Sequence, residues 1–86
     1  MWNRRDRVKI VDSVDQETIG IKGKIVYVNY GVMLVEFDED INGHDGGGMY
    51  RRGCCWYFYG YSEDSIYAEQ EGIRIKKITN KKNNYY

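Results

Sequence analysis

The stretch that decides the fold is Gly20–Phe37, GIKGKIVYVNYGVMLVEF. It contains two runs, Lys24–Val28 and Val32–Phe37, that are rich in the β-branched and aromatic residues typical of strands. Residues 29–31 (NYG) lie between them and tolerate the positive φ angles that a short hairpin turn requires. The segment therefore predicts one tight β-hairpin.

Alternation along the second strand of this hairpin separates its two faces. Met33, Val35 and Phe37 share one face, which we expect to enter the core. Leu34 and Glu36 share the other face. Because Glu36 is charged, this second face is predicted to meet solvent.

Three further stretches have the pattern of strands. Residues 7–11 (RVKIV) alternate polar and apolar side chains, so Val8 and Ile10 are predicted to face inward. Residues 55–59 (CWYFY) are aromatic, and residues 73–77 (IRIKK) alternate again near the end of the chain. These stretches bring the predicted number of strands to five.

The segment Ser62–Gly72 carries an N-cap residue, helix-forming residues and a final glycine, so we expect a short helical turn there, before the last strand. Five strands, a tight hairpin and this turn predict an all-β fold, a small five-stranded barrel. The length of 86 residues suits one domain. We place that domain at residues 1–80 and expect residues 81–86 to form a flexible polar tail.

Composition restricts the class of protein. Hydrophobic residues make up 42% of the chain and charged residues 30%, as in globular domains. No run approaches the ~18 apolar residues of a membrane span, and the start, MWNRRDRVKIVD, lacks the apolar segment of a secretion signal. We therefore expect a cytoplasmic protein without membrane contact. Cys54 and Cys55 are adjacent, so they cannot join distant parts of the chain and are expected as free thiols.

Two parts of the sequence resemble known families. GIKGKIVYV (residues 20–28) with the strand that follows resembles the KOW-type hairpin of SH3-like barrels, in which a glycine precedes an alternating strand. The wider pattern, VEFDEDINGHDGGG (35–48), GCCWYF (53–58) and IRIKKI (73–78), resembles small uncharacterised proteins of bacteriophages and prophages. These resemblances imply an SH3-like fold and a phage or mobile-element origin, and they bring no established activity.

The loop Asp38–Gly53 holds the sharpest local motifs. Its first six residues, DEDING, match the first half of a calcium-binding EF-hand loop. Met49 stands where the bidentate glutamate belongs, so a solvated acidic turn is expected instead. His44, Asp45 and the two cysteines do not have a recognised zinc or nucleophile spacing. We therefore predict no metal, no cofactor, no catalytic residue and no enzymatic activity.

Nine tyrosines favour recognition of a protein partner, because tyrosine combines a large rigid contact area with a polar tip. The same rings also suit partly buried positions at the ends of a small barrel. Alternation in residues 55–59 places Trp56 and Phe58 on one face and the tyrosines on the other. We predict a protein-binding module whose surface includes the following residues: Tyr30, His44, Asp45, Tyr57 and Tyr59.

Charge is uneven although the formal net charge is zero. Residues 36–72 carry nine acidic side chains against two basic ones, whereas residues 73–86 carry five basic side chains and no acid. In SH3-like barrels the first and last strands commonly lie side by side, which would join the basic ends into one patch, with Trp2, Tyr85 and Tyr86 nearby for stacking on bases. Nucleic-acid binding is therefore the alternative function, and its candidate residues are Arg5, Arg7, Arg74, Lys76 and Lys77. The pI near 6.6 favours a protein partner.

Overall fold

A computed structural model describes residues 2–60 and 67–78 of the chain. The described residues form six strands and one 3₁₀ turn at Gln16–Thr18; the strands are β1 (Arg7–Ser13), β2 (Lys22–Asn29), β3 (Val32–Phe37), β4 (Cys55–Tyr59), β5 (Tyr67–Gln70) and β6 (Ile73–Lys77). Neighbouring strands are antiparallel, in the order β4-β3-β2-β1-β6-β5. The two edge strands, β4 and β5, also contact each other. The sheet is therefore a nearly closed barrel.

The predicted all-β barrel is confirmed, with six strands where five were expected. The additional strand is β5, because residues 67–70 of the segment predicted to be helical are extended and pair with β6. Ala68 is buried in this hairpin opposite Ile75. A helix this short gains little from its own hydrogen bonds, so the ladder with β6 prevails. Residues 62–66 of the predicted helix and the predicted tail at 81–86 lie outside the described residues.

Two β-bulges bend the sheet. The register shifts between Ile10 and Asp12 where β1 pairs with β6, and between Ile25 and Tyr27 where β2 pairs with β3. A bulge inserts one residue and bends its strand. As a result, Ile25 is buried in the core, whereas Tyr27 pairs with Leu34 and is half exposed.

Trp2 lies in the core, although we expected it at the surface beside the basic ends of the chain. Trp2 is 2% exposed and belongs to the core cluster, with Lys77 Nζ lying 5.5 Å from the centroid of its ring. The expectation that Trp2 stacks on nucleic-acid bases is therefore wrong. A large apolar ring next to the first strand is more stable inside a small barrel than in water.

The outer face of β3 is also covered, which the alternation did not predict. Leu34 is 4% exposed, although it was expected to share a solvated face with Glu36. The loop between β3 and β4 folds back over this face, where a Cβ atom at Gly46 would lie 3.3 Å from Leu34 Cδ2. Ile41, from the same loop, joins the core cluster, which does not include Leu34. Within residues 2–60 and 67–78, no helix has the length and apolar character needed to cross a membrane.

Candidate functional site

The loop between β3 and β4, residues 38–54, builds the first candidate site. His44 and Cys55 exchange backbone hydrogen bonds, each N–H donating to the other residue's carbonyl at 3.0 Å. The N–H groups of Ile41 and Gly43 both donate to the carbonyl of Gly53 at 2.9 Å. The loop is thus fixed to the edge of β4, and it carries His44 onto the outer face of that strand.

Asp45 holds the turn that follows His44. Its Oδ1 accepts from the N–H of Gly48 at 2.9 Å, and its carbonyl accepts from the N–H of Tyr50 at 2.9 Å. The three glycines at residues 46–48 have φ angles of 63°, 77° and 88°, a region that other residues rarely adopt. The three glycines therefore form a turn of defined conformation, and the hydrogen bonds of Asp45 stabilise it.

Four aromatic side chains lie together on and beside β4. His44 stacks on Tyr57 with ring centroids 5.1 Å apart, and it lies 6.0 Å from Trp56. Tyr57 in turn lies 5.9 Å from Tyr59. His44 Nδ1 accepts from the N–H of Gly46 at 2.9 Å, which places the ring proton on Nε2. We call His44, Trp56, Tyr57 and Tyr59 the aromatic cluster.

The aromatic cluster separates two clefts, and Tyr57 and Tyr59 line both. The first cleft, of about 140 Å³, lies between the cluster and the turn that joins β5 to β6, where Gln70 and Glu71 complete it. The second cleft, of about 580 Å³, is on the other side, and its further lining residues are Tyr27, Val32, Leu34, Gly46, Met49 and Tyr50. The outer face of β4 is therefore an aromatic surface with a groove on each side.

The structure brings together three of the five residues predicted to bind protein. His44, Tyr57 and Tyr59 belong to the cluster, and Asp45 is adjacent to it. Tyr30 is 98% exposed at the hairpin turn and is absent from the described lining of both clefts.

Sequence reasoning missed other residues that line the clefts, such as Met49, Trp56, Gln70 and Glu71. The dipeptide Glu71-Gly72 was a weak signal, because Gly72 suits a two-residue hairpin turn but glutamate is uncommon at the first position of such a turn. Trp56 was placed on the face opposite the tyrosines, and it is partly buried there against the core. Its Nε1 is buried and donates to no acceptor in the described part of the chain.

A second candidate surface is basic. Lys9 on β1 is paired with Lys22 on β2 and with Lys76 on β6. Side chains of directly paired residues lie on the same face, so the three ammonium groups form a row across the outside of the barrel. In the described ranges no carboxylate lies within 4.0 Å of any of the three. We call these residues the lysine row.

The residues predicted to bind nucleic acid differ in their surroundings. β1 and β6 do lie side by side, as that prediction required. Three of the five residues form ion pairs, which are Arg7 with Asp38 at 2.7 Å, Lys77 with Asp6 at 3.4 Å and Arg74 with Glu69 at 4.0 Å. Arg5 is exposed beside Arg4 and Lys24, and Lys76 belongs to the lysine row.

Two side chains of the stretch that resembles an EF-hand have partners of their own. Asp38 accepts hydrogen bonds from the Arg7 guanidinium, and this contact lowers the pKa of the carboxyl group. Asp40 accepts from the N–H of Asn42 at 2.7 Å. Over residues 2–60 and 67–78, no group of three or more His, Cys, Asp or Glu side chains is placed to hold a metal ion.

Both cysteines are free and buried. Burial, reinforced by the nearby charge of Glu36, raises the pKa of the Cys55 thiol to about 11. Because the thiolate is the nucleophilic form, Cys55 remains a protonated, apolar side chain at neutral pH. Its proximity to His44 therefore does not make a nucleophilic pair.

Comparisons with protein-family models, with curated proteins and with solved structures give no match. The resemblance to KOW-type hairpins and to phage proteins stays a prediction.

Proposed function

We propose that the protein is a small non-enzymatic module that binds another protein through the aromatic cluster and its two clefts. One observation supports this most directly: Tyr57 and Tyr59, both on β4, line both clefts. Tyr59 is 51% exposed and Met49, beside it in the second cleft, is 78% exposed. Exposed tyrosine and methionine are enriched where proteins contact each other.

The form of the surface favours a macromolecule over a small ligand. Small-molecule sites enclose most of the surface of the ligand, whereas both clefts beside β4 open to solvent. The strand also supplies a fixed backbone, so the tyrosine rings need little ordering when a partner docks. An extended peptide or a protein loop can lie across Tyr57 and Tyr59 and reach both clefts.

Replacing Tyr59 by alanine is expected to weaken binding of a peptide partner at least about ten-fold, as for a central interface tyrosine. The partner is obtained by selecting displayed random peptides against the protein, and affinity is measured by isothermal titration. Tyr59 is half exposed, so the free energy of unfolding should change by less than about 1 kcal/mol.

Tyr30→Ala is the matched control, because Tyr30 is an exposed tyrosine that lies outside both described clefts. It should leave affinity unchanged. Selection that yields no binding peptide, or peptides that bind the Tyr59→Ala variant as well as the parent protein, would show that the aromatic cluster is not a docking surface.

A second function, binding of single-stranded nucleic acid, is favoured by the lysine row. Like charges directly opposite each other destabilise a sheet, yet Lys9, Lys22 and Lys76 stand in line across three strands. A phosphate backbone would neutralise this repulsion and release counterions. The row lies on β1, β2 and β6, and a polyanion there would not contact β4.

Lys9→Gln tests this second function, because Lys9 is the central residue of the row. The variant should elute from immobilised single-stranded DNA at lower salt, with the salt slope of the binding constant reduced by about 0.7. It should also be more stable by roughly 0.2–1 kcal/mol. Arg52→Gln removes the same charge from an exposed loop position and should change neither quantity. No retention of the parent protein at low salt would contradict the proposal.

A further inference from the structure

We propose that the first cleft is a cation site, which holds the guanidinium or ammonium head of a basic side chain between the aromatic cluster and Glu71. This inference rests on the proposed protein-binding function and names the chemistry of the group recognised. The partner is thus expected to present an arginine or a lysine to the cleft.

The walls of the cleft suit a cation. Aromatic faces attract ammonium and guanidinium groups that lie within about 6 Å of the ring centroid. Trp56, Tyr57 and Tyr59 all line the cleft together with His44. His44 and Tyr57 stack on each other at 5.1 Å, and the other neighbouring rings are 5.9–6.0 Å apart. The described lining contains no lysine or arginine that would compete for the same faces.

Glu71 supplies the negative charge. Glu71 lines the cleft, is exposed, and forms no ion pair with another described residue. The neighbouring acid Glu69, by contrast, lies 4.0 Å from Arg74. The cleft therefore has one uncompensated charge, and its sign is complementary to a basic side chain.

The backbone at Glu71 gives an independent argument. Glu71 and Gly72 form the two-residue turn between β5 and β6, with φ angles of 50° and 81°. A turn with two positive φ angles prefers asparagine, aspartate or glycine at its first position, and a glutamate is uncommon there. A less favourable residue at a cleft indicates a role for its side chain.

The size of the cleft restricts the occupant to one side-chain head. Its volume is about 140 Å³, close to the ~150 Å³ of a cavity that holds benzene. Cofactors and drug-sized ligands need about 300–1,000 Å³. A planar guanidinium with its adjoining methylene groups is of the suitable size and can stack on a tyrosine ring.

The direct test uses N-acetyl-arginine amide as the probe and its citrulline counterpart as a neutral control of the same shape. Titration is followed by the ¹⁵N–¹H spectrum, with the indole N–H of Trp56 and the amides of Gln70 and Glu71 as reporters. We expect saturable shifts at these groups with the arginine probe and much smaller shifts with citrulline. Equal shifts with both probes, or none with arginine, would overturn the inference.

Two substitutions at Glu71 separate binding from folding. Glu71→Gln keeps the length of the side chain and should weaken the arginine probe about five-fold, as expected for the loss of an exposed ion pair. Glu71→Asn improves the turn and should raise the melting temperature by about 2–8 °C, while it also weakens the probe. Glu69→Gln removes an acid that does not line the cleft and should leave probe affinity unchanged.

The same variants distinguish failure of this inference from failure of the proposed function. If selected peptides depend on Tyr59 but bind equally well to Glu71→Gln, the protein-binding function stands and the cation site is wrong. If no peptide is selected but the arginine probe binds in a manner that depends on Glu71, the cation site stands and the wider docking surface is wrong.

Discussion

Gly43→Ala is expected to lower the free energy of unfolding by about 2–4 kcal/mol, as the sum of overpacking and lost hydrogen bonds. A Cβ atom at Gly43 would overlap the carbonyl oxygen of Cys55. That oxygen belongs to the backbone of β4, and it accepts the hydrogen bond from His44, so it cannot rotate away. Urea denaturation followed by tryptophan fluorescence measures the loss.

Gly47→Ala is the matched control for Gly43→Ala. Gly47 has a φ of 77°, but a Cβ atom there would have open space around it. The free energy of unfolding of this variant should therefore fall by only roughly 1–2 kcal/mol, which is the cost of placing alanine in the left-handed region. Equal denaturation midpoints for the two variants would contradict the close packing of the loop against β4.

Gly43→Ala should also affect the aromatic cluster. The substitution separates the loop from β4, and His44 is the next residue in that loop. His44 would then lose its stacking on Tyr57, now at 5.1 Å. Peptide affinity should accordingly fall more in Gly43→Ala than in Gly47→Ala, when both are measured below the denaturation midpoint.

The parts of the fold that sequence could predict are those set by local patterns. The hairpin of β2 and β3 follows from alternation on either side of a turn with Gly31 at a φ of 70°. β5 was not predicted because its extended conformation depends on pairing with β6 across the turn at Glu71. The residue types of these four positions also suit a short helix. The burial of Leu34 was missed because its cover comes from the loop, through contacts that no local pattern encodes.

The candidate site was predictable to a similar extent. Tyr57 and Tyr59 could be placed on one face from alternation alone. Tyr27 joins them only because a bulge after Ile25 shifts its register, and a bulge has no clear pattern in this sequence. The position of Glu71 at the cleft depends on the closure of the barrel, which brings β5 against β4.

The residues predicted to bind nucleic acid show that charges counted along the chain do not identify which basic side chains share a surface. Adjacency of β1 and β6 was predicted correctly, but the acids that pair with Arg7 and Lys77 lie far from these residues along the chain. Lys22 was not included because its pairing with Lys9 depends on the register between β1 and β2. The distribution of charge along the chain therefore predicted a basic region. The residues of the lysine row could be identified only from the register of β1 with β2 and β6.

The lysine row and the aromatic cluster occupy different sides of the barrel. β1, at the centre of the row, is separated from β4 by β2 and β3 and from β5 by β6. A partner on β4 and a polyanion on β1 would not compete for the same surface. The two proposed functions are thus compatible, and variants of Tyr59 and Lys9 should act independently because distant sites contribute additively.

Trp2→Ala is expected to lower the free energy of unfolding by about 3–5 kcal/mol, a large part of the 5–15 kcal/mol typical of a native domain. Trp2 is 2% exposed, and its truncation leaves a cavity in a core that is small to begin with. The segment that follows is anchored along β2, where the backbone N–H of Arg5 donates to the carbonyl of Ile25 at 2.7 Å. The backbone therefore cannot easily move to fill the space.

Urea denaturation of Trp2→Ala can be followed by the fluorescence of Trp56, the one tryptophan that remains. Trp2→Phe is the control, since it keeps an aromatic ring in the core and should lose only about 1–2 kcal/mol. An unchanged midpoint in Trp2→Ala would mean that the indole lies at the surface, where it could stack on nucleic-acid bases. The alternative result is a large loss of stability in Trp2→Ala together with unchanged retention of Trp2→Phe on single-stranded DNA. This result would assign any nucleic-acid binding to the lysine row.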